Sequence, residues 1–134
     1  MNFKYLNLLI ENRVGWVEYN RPPINAFHWE MLCEVPAALE ELLQDQEVRV
    51  IVIASAIEKY FSTGADLRIF DGIGKKGMEE WASICHGLVS LMRMSNKPLL
   101  AAICGVATGG GLEMVLHDLC TILEFISKIR HLNL

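Results

Sequence analysis

The sequence lacks the features that mark nucleic-acid-binding, membrane and secreted proteins. Its 134 residues include 12 Lys and Arg against 16 Asp and Glu, and the formal net charge of -4 offers no basic surface to nucleic acid. No apolar run approaches the ~20 residues of a membrane-spanning helix, and the N-terminus has no basic segment followed by an apolar one. We therefore expect a cytoplasmic protein that binds neither nucleic acid nor membrane.

Clustered cysteines are also missing. The 4 cysteines form no C-x-x-C pair and the 4 histidines show no ligand spacing, so we predict neither a metal site nor a disulfide framework. The cysteines are expected to pack as small hydrophobic residues in a reducing compartment. With 52% hydrophobic and 21% charged residues, the chain is expected to form at most one globular domain.

Hydrophobic periodicity predicts alternating strands and helices. Strands are indicated where apolar residues alternate or run continuously, and helices where they recur at spacings of three and four. In chain order, the patterns predict a hairpin over 6–19, a helix ending near Gln44, a buried strand over 48–55, a loop over 56–77, a helix with Trp81, Ile84, Leu88 and Leu91 on one face, a strand over 98–104 and a helix beginning near Leu112. This alternation is typical of α/β proteins.

The start of the first helix has two interpretations. Asn25 is a favourable N-cap residue, and the helix would then begin directly after it. Pro36 lies inside the same periodic segment. Because proline lacks a backbone donor, Pro36 should either kink the helix or mark its true start.

Two glycine-bearing turns follow the predicted buried strands. One contains Thr63-Gly64-Ala65, and the other contains Gly109-Gly110-Gly111 and opens a helix. Glycine permits positive φ and close backbone approach, and a helix start presents unpaired N–H groups. Two such turns at the ends of neighbouring strands could aim two N–H groups at one oxygen, which is the arrangement of an oxyanion hole. The alternative is that both turns are only tight connections.

Three segments resemble successive blocks of the enoyl-CoA hydratase/isomerase (crotonase) superfamily. They are Asn20–Ala26, Phe61–Leu67 and Lys97–Glu113, and they occur in the family's order. The resemblance extends from the start of the chain to roughly Asp118. It implies a crotonase-like α/β fold of repeated β-β-α units with the helices outside. It also implies an acyl-CoA substrate and no separate cofactor, since the CoA thioester is itself the substrate.

The resemblance assigns roles to particular residues. The backbone N–H groups of Ala65 and Gly110 would form the oxyanion hole for the thioester oxygen, and Glu113 would be the general acid/base for the attacking water. We expect burial to tune Glu113 for proton transfer; its alternative role is to complement the dipole of its helix. The adenine of CoA would be contacted through the main chain of five residues: Thr63, Gly64, Ala65, Asp66 and Leu67.

The sequence departs from the family pattern after Glu113. Asp118 stands five residues after Glu113, one fewer than in the family, and no Pro-Glu segment supplies the second catalytic glutamate. We expect residues 1–118 to be the N-terminal part of a truncated crotonase-like domain and residues 119–134 to be a divergent tail. In that tail Ile122, Phe125, Ile126 and Ile129 recur at helical spacing. The resemblance also implies a homo-oligomer. In the family its packing is supported by helices that come after this point in the sequence, which argues against a homo-oligomer for this truncated chain.

Two functional hypotheses remain. The chain either hydrates an enoyl-CoA through an enolate, or is a catalytically inactive fragment that at most binds CoA or packs with full-length homologues. An isomerase is less favoured, because that chemistry in the family uses the second acid. Residues 72–77 spell G-x-G-x-x-G, but they follow a loop and not a strand, so a nucleotide-dependent oxidoreductase is disfavoured.

Overall fold

Three β-β-α units follow one another along the chain. The fold is described by a computed structural model, which covers residues 2–116 and the backbone of residues 120–123. The units are β1 (Leu6–Glu11), β2 (Val14–Tyr19) and α1 (Trp29–Gln44); β3 (Val50–Ser55), β4 (Tyr60–Ser62) and α2 (Gly74–Arg93); and β5 (Leu99–Ile103), β6 (Val106–Ala107) and α3 (Gly109–Val115). A 3-10 helix (Leu67–Phe70) precedes α2, and strand β7 (Cys120–Leu123) comes last. The predicted α/β architecture of repeated β-β-α units is confirmed.

The strands form two sheets. The larger sheet has the order β1-β2-β3-β5-β7, and only the β1–β2 pair is antiparallel. The predicted hairpin turns at Asn12 (φ 51) and Arg13 (φ 67), the left-handed pair that a two-residue turn of this kind requires. The smaller sheet consists of β4 and β6, which are parallel. Both short strands were missed in the sequence, because strands of two or three residues are too short to show a periodic pattern.

The main core lies between the larger sheet and helices α1 and α2. Val17 and Ile51 from the sheet are fully buried, as is Val35 from α1. Trp81 and Leu88 of α2 are buried in the same cluster, which confirms the predicted inward face of that helix. Complete burial of a side chain such as Val or Ile contributes about 1.5–3 kcal/mol. Phe61 of β4 is fully buried in the same cluster, so this core also holds one of the strands that lead to the site.

Helix α1 begins later than predicted. It starts at Trp29 after His28, so the prediction that Asn25 caps it is wrong. Asn25 instead lies in the left-handed region (φ 51), fully buried, and its carboxamide bonds to the backbone of β4. These long-range hydrogen bonds outweigh the local preference of asparagine for a helix N-cap. The helix runs through Pro36 to Gln44, so the proline does not mark its start.

The end of the described chain lies at the edge of the larger sheet. Strand β7 pairs in parallel with β5, so the helical interpretation of the tail is wrong at Ile122. Residues 117–119, which include His117 and Asp118, and residues 124–134 lie outside the described residues, and the predicted boundary between residues 118 and 119 stays a prediction. Within the described part of the chain, no helix has both the length and the apolar character needed to span a bilayer.

Candidate active site

Strands β4 and β6 carry the two glycine turns to the same end of the smaller sheet. The strands are parallel neighbours, so the chain leaves both at one edge. The turn with Gly64 follows β4, and the turn with Gly110 follows β6 and opens α3 at Gly109, earlier than the predicted Leu112. The sequence analysis placed these turns after the long strands β3 and β5. Their juxtaposition in fact depends on the short strands that it missed.

The two turns touch through their glycines. A Cβ on Gly64, where φ is +85, would lie 2.8 Å from the Gly110 nitrogen and 3.1 Å from the Thr108 carbonyl oxygen. A Cβ on Gly111 would lie 2.7 Å from the Cβ of Ser62. Glycine is therefore required at 64 and 111 for the backbones to approach this closely. Gly110 differs, since among the described residues no atom outside its chain neighbours and its own helix backbone lies within 4 Å of its Cβ position.

The backbone N–H groups of Ala65 and Gly110 have no hydrogen-bond acceptor within residues 2–116. Phe27 N donates to Gly64 O at 2.7 Å. Because the C=O of Gly64 and the N–H of Ala65 belong to one trans peptide, they point in opposite directions. Among the residues that the structure describes, neither the Ala65 N–H nor the Gly110 N–H donates to a protein acceptor. Two unpaired N–H groups on touching turns are the components of an oxyanion hole.

A cavity of about 660 Å³ brings the three predicted catalytic residues together. Ala65, Gly110 and Glu113 all line it. Its apolar walls come from residues of α1, α2, α3 and the turn before α1, among them Leu32, Trp81, Leu88, Met114 and Phe27. The cavity therefore combines an apolar surface with a few convergent polar groups, which is typical of a small-molecule site. From the sequence, Trp81 and Leu88 were assigned only to the core. Residues that line a cavity recur along a helix at the same spacing as core residues, so the pattern does not distinguish them.

Glu113 lies one helical turn after Gly110, so both face the same cavity. Its side chain is exposed, and the burial expected to tune it is not found. Across the cavity, burial raises the pKa of the Cys85 thiol, and the negative charge of Glu113 adds to this effect. Of the carboxylates in the described part of the chain, Glu113 alone lines this cavity. Its predicted role in proton transfer stays a prediction.

A second cavity of about 530 Å³ lies on the other side of Ala65, which lines both. Four of the five residues predicted to contact CoA line this second cavity: Thr63, Ala65, Asp66 and Leu67. Gly64, the fifth, faces the other turn. Leu67 is 78% exposed. The adenine contact itself stays a prediction.

Asp66 is paired with two arginines in this second cavity. Its carboxylate accepts from Arg68 Nη2 at 2.6 Å and from both Arg21 Nη atoms at 3.2 Å. Hydrogen bonds from Arg68, and then from Arg21, hold the pKa of the Asp66 carboxyl well below its usual range despite its burial. Arg21 also donates to Ala26 O at 2.6 Å. Asp66 is therefore a structural anion at neutral pH, and the charge pairing with Arg21 had no signal in the sequence.

The glycine pattern at residues 72–77 belongs to the start of α2. The helix begins at Gly74, and the preceding element is a 3-10 helix. A dinucleotide fingerprint needs a strand directly before its glycine turn, so this segment gives no support to a nucleotide site. No three His, Cys, Asp or Glu side chains within residues 2–116 are placed to hold a metal ion.

Comparisons with known proteins agree with one another. A family model described as Enoyl-CoA hydratase/isomerase matches residues 10–124. The human peroxisomal bifunctional enzyme is 34% identical over 107 residues, which are 80% of this chain and 14% of that protein. The crotonyl-CoA hydratase of Syntrophomonas wolfei is 27% identical over 115 residues, which are 84% of this chain and 44% of that protein.

Solved structures share the fold. An enoyl-CoA hydratase from Bacillus anthracis matches with a TM-score of 0.83 and 25% identity over 90% of this chain and 47% of that one. The predicted crotonase-like fold is confirmed. The chain spans about half the length of this structure and less of the two curated relatives.

Proposed function

The chain belongs to the enoyl-CoA hydratase/isomerase family, and we propose that it binds an acyl-CoA thioester with the carbonyl oxygen between the N–H groups of Ala65 and Gly110. The proposed reaction is the hydration of an α,β-unsaturated acyl-CoA through an enolate. One observation carries the proposal. Two N–H groups that have no acceptor in the described chain meet at a cavity that Glu113 also lines.

The proposed oxyanion hole acts on charge that develops during the reaction. When water attacks the β-carbon, the electrons of the double bond move towards the thioester and leave negative charge on its oxygen. Donors that are already in place stabilise this charge without rearrangement, and losing one such donor typically lowers kcat by about 10²–10³. The contact between Gly64 and Gly110 supports this role, because it fixes the separation of the two donors.

The two cavities suit the two parts of an acyl-CoA. The thioester joins the acyl group to CoA, and Ala65 lies where the cavities meet. The first cavity has apolar walls, including Phe27 and Trp81, that match an acyl chain. The second would take the CoA portion through the main chain of Thr63 and Leu67. The proposal uses only groups of the chain and the CoA thioester.

Glu113 is proposed to accept a proton from the attacking water. The oxygen of that water then bonds to the β-carbon, and the enolate needs one proton at its α-carbon to become the product. A lone carboxylate completes the reaction by returning the proton that it accepted, so the sum is the addition of one water. General acid–base catalysis of this kind contributes about 10²–10⁴ in rate.

A catalytically inactive chain is the second candidate. Glu113 is exposed, and it is the sole carboxylate that the described residues bring to the cavity. An open site admits bulk water, which weakens every electrostatic interaction within it. In this case the chain would bind CoA, or pack with full-length homologues, without turnover.

Loss of the conjugated thioester absorbance of crotonyl-CoA separates the candidates. Glu113→Gln is compared with Glu80→Gln, which changes an exposed glutamate of α2 that lines neither cavity. We expect turnover by the wild type and Glu80→Gln, and at least ~100-fold less by Glu113→Gln. Binding without turnover by a folded wild type supports the second candidate. Equal turnover by Glu113→Gln contradicts the role of Glu113.

A further inference from the structure

Ser62 contacts all the segments that build the proposed oxyanion hole. Its fully buried hydroxyl donates to Asn25 O at 2.8 Å and accepts from Gly64 N at 3.1 Å. Its carbonyl oxygen accepts from Thr108 N at 3.0 Å, and its Cβ packs where Gly111 has no side chain. One residue therefore links the segment before α1 to both glycine turns.

Asn25 is fixed independently of Ser62. Its carboxamide donates to Ser55 Oγ at 2.8 Å and Phe61 O at 3.0 Å, and accepts from Arg21 N at 2.8 Å. The residue is fully buried, and its left-handed backbone is held by these bonds. The carbonyl oxygen of Asn25 is thus a fixed point against which the Ser62 hydroxyl is oriented.

We propose that Ser62 is a positioning residue that sets the spacing and direction of the Ala65 and Gly110 N–H groups. Gly64 is held at its nitrogen by Ser62 and at its oxygen by Phe27, which orients the peptide that carries the Ala65 N–H. The bond from Thr108 to the Ser62 carbonyl places the second turn against the first. The inference rests on the proposed function, since it assigns this role towards the same oxyanion hole.

Two substitutions distinguish the contribution of the Ser62 hydroxyl from that of its backbone and Cβ. Ser62→Ala keeps the backbone and the Cβ contact with Gly111, while Gly64 N and Asn25 O lose their partner. Ser62→Cys replaces the hydroxyl with a somewhat larger thiol that is still a weak donor. Ser95→Ala is the matched control. The Ser95 hydroxyl also accepts from a backbone nitrogen and donates to a backbone oxygen, but both partners belong to Lys97 and neither glycine turn is involved.

The spectrum of bound 4-(dimethylamino)cinnamoyl-CoA measures the hole directly. The absorption of this conjugated thioester moves to longer wavelength when hydrogen bonds polarise its carbonyl group. At saturation, we expect the full shift with the wild type and Ser95→Ala, less than half of it with Ser62→Ala, and an intermediate shift with Ser62→Cys. A folded, saturated Ser62→Ala with the wild-type shift overturns the proposal for Ser62.

The same titration distinguishes this proposal from the function on which it rests. A wild type that binds the thioester without any shift overturns the oxyanion hole itself. If the wild type shows the shift, the oxyanion hole is supported, and a wild-type shift in Ser62→Ala then contradicts only the role of Ser62. Near-UV circular dichroism monitors folding. If Ser62→Ala does not fold, Ser62→Cys decides, because a reduced shift supports the role of Ser62 and a full shift overturns it.

Discussion

The turn that carries Ala65 and the turn that carries Gly110 face one cavity but are held differently. The first is bound on both sides by earlier parts of the chain: Phe27 bonds to the peptides that flank Ala65, at 2.7 Å each. The second is bound mainly to the first. Thr108 donates from its nitrogen to Ser62 O at 3.0 Å and from its hydroxyl to Thr63 O at 3.4 Å.

This difference sets an order of dependence. A change in the first turn should displace both N–H groups, whereas a change in the second that does not press on Ser62 should affect its own N–H alone. A site is precise when its groups are held by fixed neighbours, and here the Ala65 turn is the fixed neighbour of the Gly110 turn.

The largest effect is expected for Gly64→Ala. The new Cβ would add left-handed strain to a 2.8 Å approach to the Gly110 nitrogen, so we expect a loss of roughly 3 kcal/mol in the free energy of unfolding. Gly72→Ala is the matched control, since Gly72 has φ +67 but, apart from its chain neighbours, no atom of the described residues within 4 Å of its Cβ position. It should lose only about 1–2 kcal/mol. Urea unfolding measures both, and equal losses would contradict the close contact between the turns.

Neighbouring glycines in the second turn should respond in opposite ways. In Gly111→Ala the Cβ meets Ser62 at 2.7 Å, and overpacking of this kind costs about 1–3 kcal/mol of stability. Gly110→Ala meets nothing and should fold as well as the wild type, but its methyl group enters the cavity beside the N–H. We expect about tenfold weaker binding of an acyl-CoA, or ~1.4 kcal/mol. A Gly110→Ala chain with unchanged affinity would place the ligand elsewhere.

Asp66→Asn tests the charge pairs of the first turn through their dependence on pH. The folded-state pKa of Asp66 is lowered, so its stabilisation is present above the unfolded value of about 3.9 and is lost as the pH falls towards the folded value. We expect Asp66→Asn to cost about 1–2 kcal/mol at pH 7. The difference from wild type should shrink below about pH 3.9 in urea unfolding. A difference that is constant with pH would exclude the charge of Asp66 as its cause.

The smallest effect is expected for Thr108→Val. The hydroxyl bond of Thr108 to Thr63 O is long, at 3.4 Å, and exposed, so its loss should cost about 0.5 kcal/mol or less. The backbone bond from Thr108 to Ser62 remains. A loss above about 1.5 kcal/mol, more than a typical hydrogen bond contributes, would show that this hydroxyl bond is a main attachment of the second turn to the first.

The elements whose hydrophobic pattern repeats several times were predicted from the sequence, and those that form only by pairing with distant residues were missed. Strand β3 and helix α2 are long enough to show their period, and the glycine turns were found from their composition. The strands β4 and β6 exist because they pair with each other, and the contact between Thr63 and Thr108 spans 45 residues of sequence. Asn25 was misassigned for the same reason, because its bonding partners lie in β3 and β4.

The central claim is that the Ala65 and Gly110 N–H groups together polarise one carbonyl oxygen. The direct measurement is the infrared stretch of an acyl-CoA labelled with ¹³C at its thioester carbonyl, bound to the wild type and to a chain with an ester bond in place of the Ala65 N–H. The account predicts that the stretch lies at lower frequency on the wild type than in water and rises when the Ala65 N–H is replaced. A bound frequency equal to that in water, or one that the ester leaves unchanged, would contradict it.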